Sequence, residues 1–294
     1  MPPVPLRPSS SDHGTGPALG EAEFEGFRKL FHDLIGIHLG DPKRHLVASR
    51  LAPRLRALGL PGFHPYLELL RSGRDKDELQ RAVDLITTNE TWFFREAEHF
   101  EILRNQILPT VAHRPVRLWC AAASTGEEPY SLAMTLHDEL GAEGWKLVAS
   151  DINVEVLERA RAGLYPLERA RSIPPEHLRT YCLRGVGENE GRLLVRPFLR
   201  DAVDFRRLNL LSPSRDLVDL DVVFLRNALI YFDAPDRQRI LSDIERRLRP
   251  GGWLVLGHSE SIVGLDLPSL RPMRPSIHRK HSGRDAPEAT WSPR

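Results

Sequence analysis

The sequence predicts an α/β protein: an all-helical N-terminal module, then a doubly wound domain with a mainly parallel sheet and a small antiparallel β insertion. Three observations carry this. Apolar residues in 21–86 recur at spacings of three and four, the period of a helix face. From residue 116 short apolar runs alternate with helical stretches, the pattern of βαβ units. Between residues 184 and 200 a glycine-rich turn is flanked by short β-like runs.

Residues 1–20 hold Pro2, Pro3, Pro5, Pro8 and Pro17 among Ser, Gly and Thr, too little apolar surface to drive folding, and are expected to be disordered. Residues 281–294 read the same way. Phe24, Phe27, Leu30, Phe31 and Leu34 mark one face of a first helix, which Gly36 and Gly40 end. Asp41-Pro42 reads as an N-cap followed by proline at the first helical position. The next helix covers 43–58, with Val47, Leu51, Leu55 and Leu58 as its stripe. Pro53 lies inside it, removes a hydrogen bond and should kink or split it. Leu60-Pro61-Gly62 ends it, and 63–70 and 78–86 are two further helical segments. The helical module thus spans 21–86, and 87–115 is a connector without a predicted strand. The α/β domain takes 116–280, with strands over 116–120, 146–150, 203–208, 221–225 and 253–257 and helices over 129–140, 154–162 and 236–248.

The 294 residues are 41% hydrophobic and 28% charged, enough to build a core. Lys+Arg 41 against Asp+Glu 40 leaves a net charge of +1, so no nucleic-acid partner is expected and charge-based recognition must be local. Cys120 and Cys182 cannot make a disulfide framework or a multi-cysteine zinc site, and no metal is expected. Apolar runs such as Val222-Val223-Phe224-Leu225 fall far below the roughly 20 residues that span a bilayer. No charged start followed by an apolar stretch opens the chain. The expected compartment is the cytoplasm, without membrane insertion.

Ligands of doubly wound sheets sit at the carboxyl ends of strands. The first strand ends in Ala121-Ala122-Ala123-Ser124-Thr125-Gly126-Glu127-Glu128-Pro129. A dinucleotide site wants several glycines against a pyrophosphate, whereas this loop has one glycine and two acids. Negative charge suits a ligand carrying an amine, and S-adenosylmethionine, a sulfonium with an α-amine, fits. The same loop also reads as an ordinary strand-to-helix turn with exposed acids. The second strand ends at Asp151, where an acid can accept ribose hydroxyls, or can cap the next helix. Loop and acid together, in one βαβ frame, favour a nucleoside site. The fourth strand ends in Arg226-Asn227, with Tyr231 just beyond.

Several segments together resemble one family, the CheR-type chemotaxis receptor glutamate O-methyltransferases. They are Thr87-Thr88-Asn89-Glu90-Thr91-Trp92-Phe93-Phe94-Arg95-Glu96, Ala123-Ser124-Thr125-Gly126-Glu127-Glu128-Pro129-Tyr130-Ser131, Ser150-Asp151-Ile152-Asn153 and Asn209-Leu210-Leu211. Arg226-Asn227-Ala228-Leu229-Ile230-Tyr231-Phe232-Asp233 and Gly257-His258-Ser259-Glu260-Ser261 complete the set, and the match runs in order over 21–280. The resemblance implies a SAM-dependent methyltransferase domain and transfer of a methyl group to chemoreceptor glutamates in signal adaptation, with S-adenosylhomocysteine as product. It also implies roles for single residues. Asn89, Thr91 and Arg95 match the connector segment that closes over the cofactor. Glu127 matches the acid near its methionine end, Asp151 the ribose ligand, Asn209 and Leu210 the adenine-side contacts, and Arg226 and Asn227 the segment after the fourth strand. Arg95 and Tyr231 match the residues near the transferred methyl, and Tyr231 also reads as an aromatic lid. Phe93 and Phe94 read as packing residues and His258 as a hydrogen-bonded turn residue.

The implied chemistry is an in-line displacement by a carboxylate. With a pKa of about 4.3 the nucleophile is ionised at neutral pH and needs no general base. Positioning then dominates, with the attacking oxygen held about 3–3.5 Å from the methyl carbon. Arg95 could orient a carboxylate through its donor fork, and Tyr231 could donate one hydrogen bond to it. In the helical module Lys43, Arg50 and Arg54 fall within about 40° of one another at helical spacing. Such a row suits the acidic methylation region of receptor helices, and a solvated basic face is the plainer alternative. Around Gly185-Val186-Gly187 the β insertion matches a subdomain with which some family members tether a receptor's C-terminal peptide by strand addition. Two other readings stand beside the enzyme: a SAM-binding signalling scaffold without turnover, and a SAM-dependent methyltransferase with a different protein substrate. The glycine loop suits a NAD-dependent dehydrogenase poorly.

Overall fold

The computed structural model describes residues 18–281. Of the two segments expected to be disordered, 1–17 and 282–294 lie outside the described residues. Within them Leu19 is buried. The chain divides into two compact units: residues 18–30 with Leu39–Ile86, and Phe31–His38 with residues 87–281.

The first unit is helical, as its periodicity predicts. It contains most of α1 (Glu21–Ile35), together with α2 (Arg44–Ala57), α3 (Phe63–Ser72) and α4 (Lys76–Ile86). Phe24, Phe27, Val47, Leu51, Leu55, Phe63, Tyr66 and Leu67 are all buried in it. Phe27 meets Phe63 edge-on with ring centroids 6.3 Å apart. Gly26 allows α1 and α3 to approach, because a Cβ there would lie 2.3 Å from Leu67 Cδ2.

Two local expectations for this unit are corrected. Asp41 does not cap α2: Asp41–Lys43 is a short 3-10 turn with no side-chain cap, and the Asp41 carboxylate takes Arg28 Nη1 at 3.0 Å. Pro53 does not split α2, which runs through it from Arg44 to Ala57. Val47, Leu51 and Leu55 are buried on both sides of the proline, and this packing holds the two halves in one helix.

The second unit is a doubly wound sheet. Its strands are β1 (Val116–Cys120), β2 (Trp145–Asp151), β6 (Val203–Arg207), β7 (Leu220–Leu225), β8 (Leu248–Leu256), β9 (Leu270–Arg274) and β10 (Ile277–Lys280), in the order β6-β2-β1-β7-β8-β10-β9. The first five in that order are parallel. Helices α6 (Glu127–Leu140), α7 (Val154–Ala162) and α10 (Ala234–Arg247) make the crossovers. Central strand β7 is buried on both faces. Val222 and Phe224 join a core with Tyr130, Leu132 and Leu136 of α6, while Val223 and Leu225 join Ile240, Leu241 and Ile244 of α10. The antiparallel extension β8-β10-β9 was not foreseen.

The β insertion is wider than 184–200. Strands β3 (Leu164–Pro166), β4 (Cys182–Arg184) and β5 (Arg192–Val195) form a separate antiparallel sheet with β5 in the middle. Short helix α8 (Pro175–Tyr181) lies between β3 and β4, α9 (Pro197–Asp201) follows β5, and the connector contains α5 (Glu98–Ile102). Among the described residues no helix is long and apolar enough to cross a membrane.

Candidate active site

Strands β1, β2 and β7 are adjacent and parallel, so their carboxyl ends share one rim. The loop after β1 turns sharply there, with Ser124 at φ 46° and Gly126 at φ 97°. A Cβ on Gly126 would lie 2.8 Å from both Ala160 Cβ and the Tyr165 hydroxyl, so backbone strain and space both demand glycine. Ser124 N–H donates to Asp151 Oδ2 (2.8 Å), and the Ser124 hydroxyl donates to the Asn89 carbonyl (2.9 Å). Asp151 Oδ1 accepts the Asn153 amide (3.0 Å), and Asn153 caps α7 while its Nδ2 reaches Thr87 Oγ1 (2.7 Å). The glycine loop, the end of β2 and the start of the connector are thus tied together.

The connector is anchored by its aromatic pair. Phe93 and Phe94 are buried, the first edge-on to Tyr165 at 5.0 Å, the second stacked on His177 at 5.3 Å. The Phe94 amide donates to the Ser131 hydroxyl (2.9 Å). Next to them Arg95 stays accessible. Its guanidinium stands over the Trp92 ring, 4.5 Å from the centroid, and Nη1 donates to the Glu90 carbonyl (3.0 Å).

Arg226, at the end of β7, has no exposed side-chain surface. It bridges Glu128 of the β1 loop (2.6 Å) and Glu96 of the connector (2.9 Å), and donates to the Arg95 carbonyl. Burial works against its charge, but the two carboxylates hold its pKa above the ordinary value. For Glu96, burial would raise the pKa; the guanidinium, Asn227 and the His258 amide outweigh it and hold the carboxyl below the usual range. Glu128 also accepts the Cys120 thiol (3.3 Å), whose own pKa burial pushes up.

These elements enclose a cleft of about 850 Å³, counted to its open mouth. Of the residues singled out in the sequence, Asn89, Thr91, Arg95, Asp151, Asn209, Leu210, Arg226, Asn227 and Tyr231 line it. Asn209 is fixed by donating to the Leu34 carbonyl (2.9 Å) and accepting the Leu211 amide (3.0 Å). Glu127 is the exception. Its carboxylate is fully buried, paired with Arg169 and bonded to the Thr125 hydroxyl (2.6 Å), and the acid of this loop that lines the cleft is Glu128. Arg226 lines the cleft while its guanidinium joins two acids. Lys43, Arg50 and Arg54 belong to the first unit. Arg54 grips Glu78 with two hydrogen bonds (2.9 and 2.6 Å), a carboxylate that also accepts the Tyr66 hydroxyl (2.8 Å), and Arg50 donates to the Ile86 carbonyl (2.8 Å).

Sequence reasoning missed Glu96, Ile35 and Ile37 as site residues, and of the loop's two acids it carried Glu127 forward rather than Glu128. Glu96 ends the quoted connector string, and Gly36, φ 73°, stands between the two isoleucines, where it seats against Leu211 and Phe232. Those were the available signals.

The lining fits S-adenosylmethionine by its chemistry. Ile35, Ile37, Ile152, Leu208 and Leu210 offer an apolar wall for a purine, Asp151 an acceptor for ribose hydroxyls, and Glu128 and Arg95 opposite charges for an amino-acid end. The fold and the cleft together define an S-adenosylmethionine-dependent methyltransferase. Residues 22–87 match the family model described as CheR methyltransferase, all-alpha domain, and residues 89–270 that described as CheR methyltransferase, SAM binding domain. A chemotaxis protein methyltransferase of Escherichia coli is 46% identical over 252 residues, covering 85% of this chain and 87% of its own. That of Salmonella typhimurium is 45% identical over 251 residues, 84% and 86% of the two chains. Chemotaxis protein methyltransferase 2 of Pseudomonas aeruginosa is 42% identical over 275 residues, 92% of each chain. The chain belongs to the CheR family of chemotaxis protein methyltransferases. The activity that goes with this membership is SAM-dependent methylation of chemoreceptors; a scaffold without turnover is not favoured.

Proposed function

We propose that this cleft carries out methyl transfer to glutamate side chains of chemoreceptors, and that Arg95 and Tyr231 are its catalytic residues. The observation that supports this reading is their common presence in one cleft with Asp151, Asn89 and Thr91. Bound there, S-adenosylmethionine supplies an electrophilic methyl group on sulfur. Transfer would form a bond from a carboxylate oxygen to that methyl carbon as its bond to sulfur breaks. A glutamate methyl ester and S-adenosylhomocysteine result, and no proton moves. Arg95, held over Trp92 with Nη1 on the Glu90 carbonyl, would turn its remaining donors to a carboxylate, and the Tyr231 hydroxyl would donate to the incoming one. Asp151 takes the ribose hydroxyls; Asn209 and Leu210 take the adenine; Asn89, Thr91, Glu128 and Asn227 complete the cofactor contacts.

Arg95→Ala and Tyr231→Phe test the assignment. Each should lower kcat by about 10- to 100-fold, the loss of one to two hydrogen bonds to a charged group. Tyr231→Phe should leave the affinity for S-adenosylhomocysteine near wild type. Normal turnover in both variants would remove the catalytic assignment.

The division of labour follows the order of the chain. Residues 21–86 recognise substrate, 87–115 contribute to the cofactor site, and 116–280 hold the cofactor, in a cytoplasmic enzyme. Lys43, Arg50 and Arg54 attract the acidic methylation region of receptor helices, Arg54 while bonded to Glu78 and Arg50 while bonded to the Ile86 carbonyl. Among the described residues edge strand β4 pairs only with β5, and it offers a place for a receptor C-terminal peptide to add as a strand. Reversing charge at Lys43 and Arg50 should raise the receptor KM and flatten its salt dependence. A KM that does not move rules out that docking face, and a tail peptide that fails to bind in titration rules out the tether.

A further inference from the structure

The loop after β8 contains a buried carboxylate with no place yet in the reaction. Glu260 is 5% exposed. Its Oε2 accepts the amides of Asn227 and Gly257, and its Oε1 accepts the amide of Leu229, each at 2.8 Å. Among the described residues no Lys or Arg forms an ion pair with it. Burial pushes its carboxyl up, against the pull of these amides. The amides belong to the ends of β7 and β8, and the β7 end is the segment that lines the cleft with Asn227, Ala228 and Tyr231. Asn227 stands at φ 56°, a left-handed conformation that needs an outside hold. Gly257 is packed against the same point: a Cβ there would lie 2.6 Å from Asn227 Nδ2 and 3.0 Å from both the Asn227 amide nitrogen and Glu260 Oε2.

We propose that Glu260 is a positioning residue for methyl transfer: its carboxylate, seated in the amides of Asn227, Leu229 and Gly257, fixes the loop that carries Asn227 and Tyr231 into the cleft. Glutamate is required because both oxygens must accept. A glutamine of the same size turns an N–H toward amide N–H groups at one of the two positions. The proposal rests on the cleft being the cofactor site.

Glu260→Gln changes charge and donor pattern but not volume. Calorimetry with S-adenosylhomocysteine should show affinity lowered by roughly tenfold or more, and kcat should fall with it. The KM for a chemoreceptor cytoplasmic fragment should stay near wild type, and the fall in the urea midpoint should be small beside the loss of cofactor affinity. Gly257→Ala presses on the same loop from the other side and should give the same split. Wild-type affinity and turnover in both variants would overturn the proposal. So would collapse of the fold in both, or a loss of receptor KM and urea midpoint in step with cofactor affinity, since these mark a merely structural residue. A wild-type protein that binds no S-adenosylhomocysteine would instead fail the reading of the cleft itself.

Discussion

Arg226→Met should cost the second unit about 3–5 kcal/mol of stability, because it leaves the buried Glu128 and the part-buried Glu96 without their cation. The arginine side chain is wholly buried and touches Glu96 at 2.9 Å and Glu128 at 2.6 Å. Removing the whole network is a milder change than breaking it, so Arg226→Met combined with Glu96→Gln and Glu128→Gln should recover much of the loss. The pH dependence separates the cases. In the wild type Glu96 is held below the ordinary carboxyl value, so its stabilising share is complete at neutral pH and is lost as pH falls through that lowered value. Without the guanidinium, burial dominates and raises the carboxyl. The single variant should then gain stability on acidification relative to neutral pH. Urea unfolding of both proteins from neutral to mildly acidic pH measures this. Parallel pH profiles would show that Arg226 does not hold the pair.

Asp151→Ala should weaken S-adenosylhomocysteine binding by about 100-fold or more, the loss of charge-assisted bonds to two ribose hydroxyls. The effect has a second source in the protein. The carboxylate also holds the Ser124 amide at 2.8 Å and the Asn153 amide at 3.0 Å, so its removal frees the glycine loop. Asp151→Asn keeps the size and one acceptor oxygen and should fall between wild type and alanine. Calorimetry gives the three affinities. Equal values for wild type and alanine would place the cofactor elsewhere.

The strand ends that build the cleft were legible in the sequence because each is a local signal. β1 is a short apolar run stopped by Ala121-Ala122-Ala123, and α7 begins and ends where Asn153 and Gly163 cap it. Strands β9 and β10 were not legible. β9 reads Leu-Arg-Pro-Met-Arg, with only Leu270 buried, so it shows neither alternation nor an apolar run; pairing with β10 makes it a strand. β3 is three residues long and gains its identity from β5, far along the chain. The network of Glu96, Glu128 and Arg226 was invisible for the same reason, since its members are brought together only when the connector crosses the rim. Arg54 shows the converse. Helical spacing groups it with Lys43 and Arg50, but spacing reveals neither that Lys43 lies in the 3-10 turn before α2 nor that Glu78 of another helix would bind Arg54.

The central claim is that a carboxylate of a chemoreceptor takes a methyl group at this cleft. Incubating the protein with methyl-labelled S-adenosylmethionine and a chemoreceptor cytoplasmic fragment tests it most directly. The account predicts label in the fragment that mild base releases as methanol, with far less from the Asp151→Ala protein. A fragment that stays unlabelled, or label that withstands base, would contradict it.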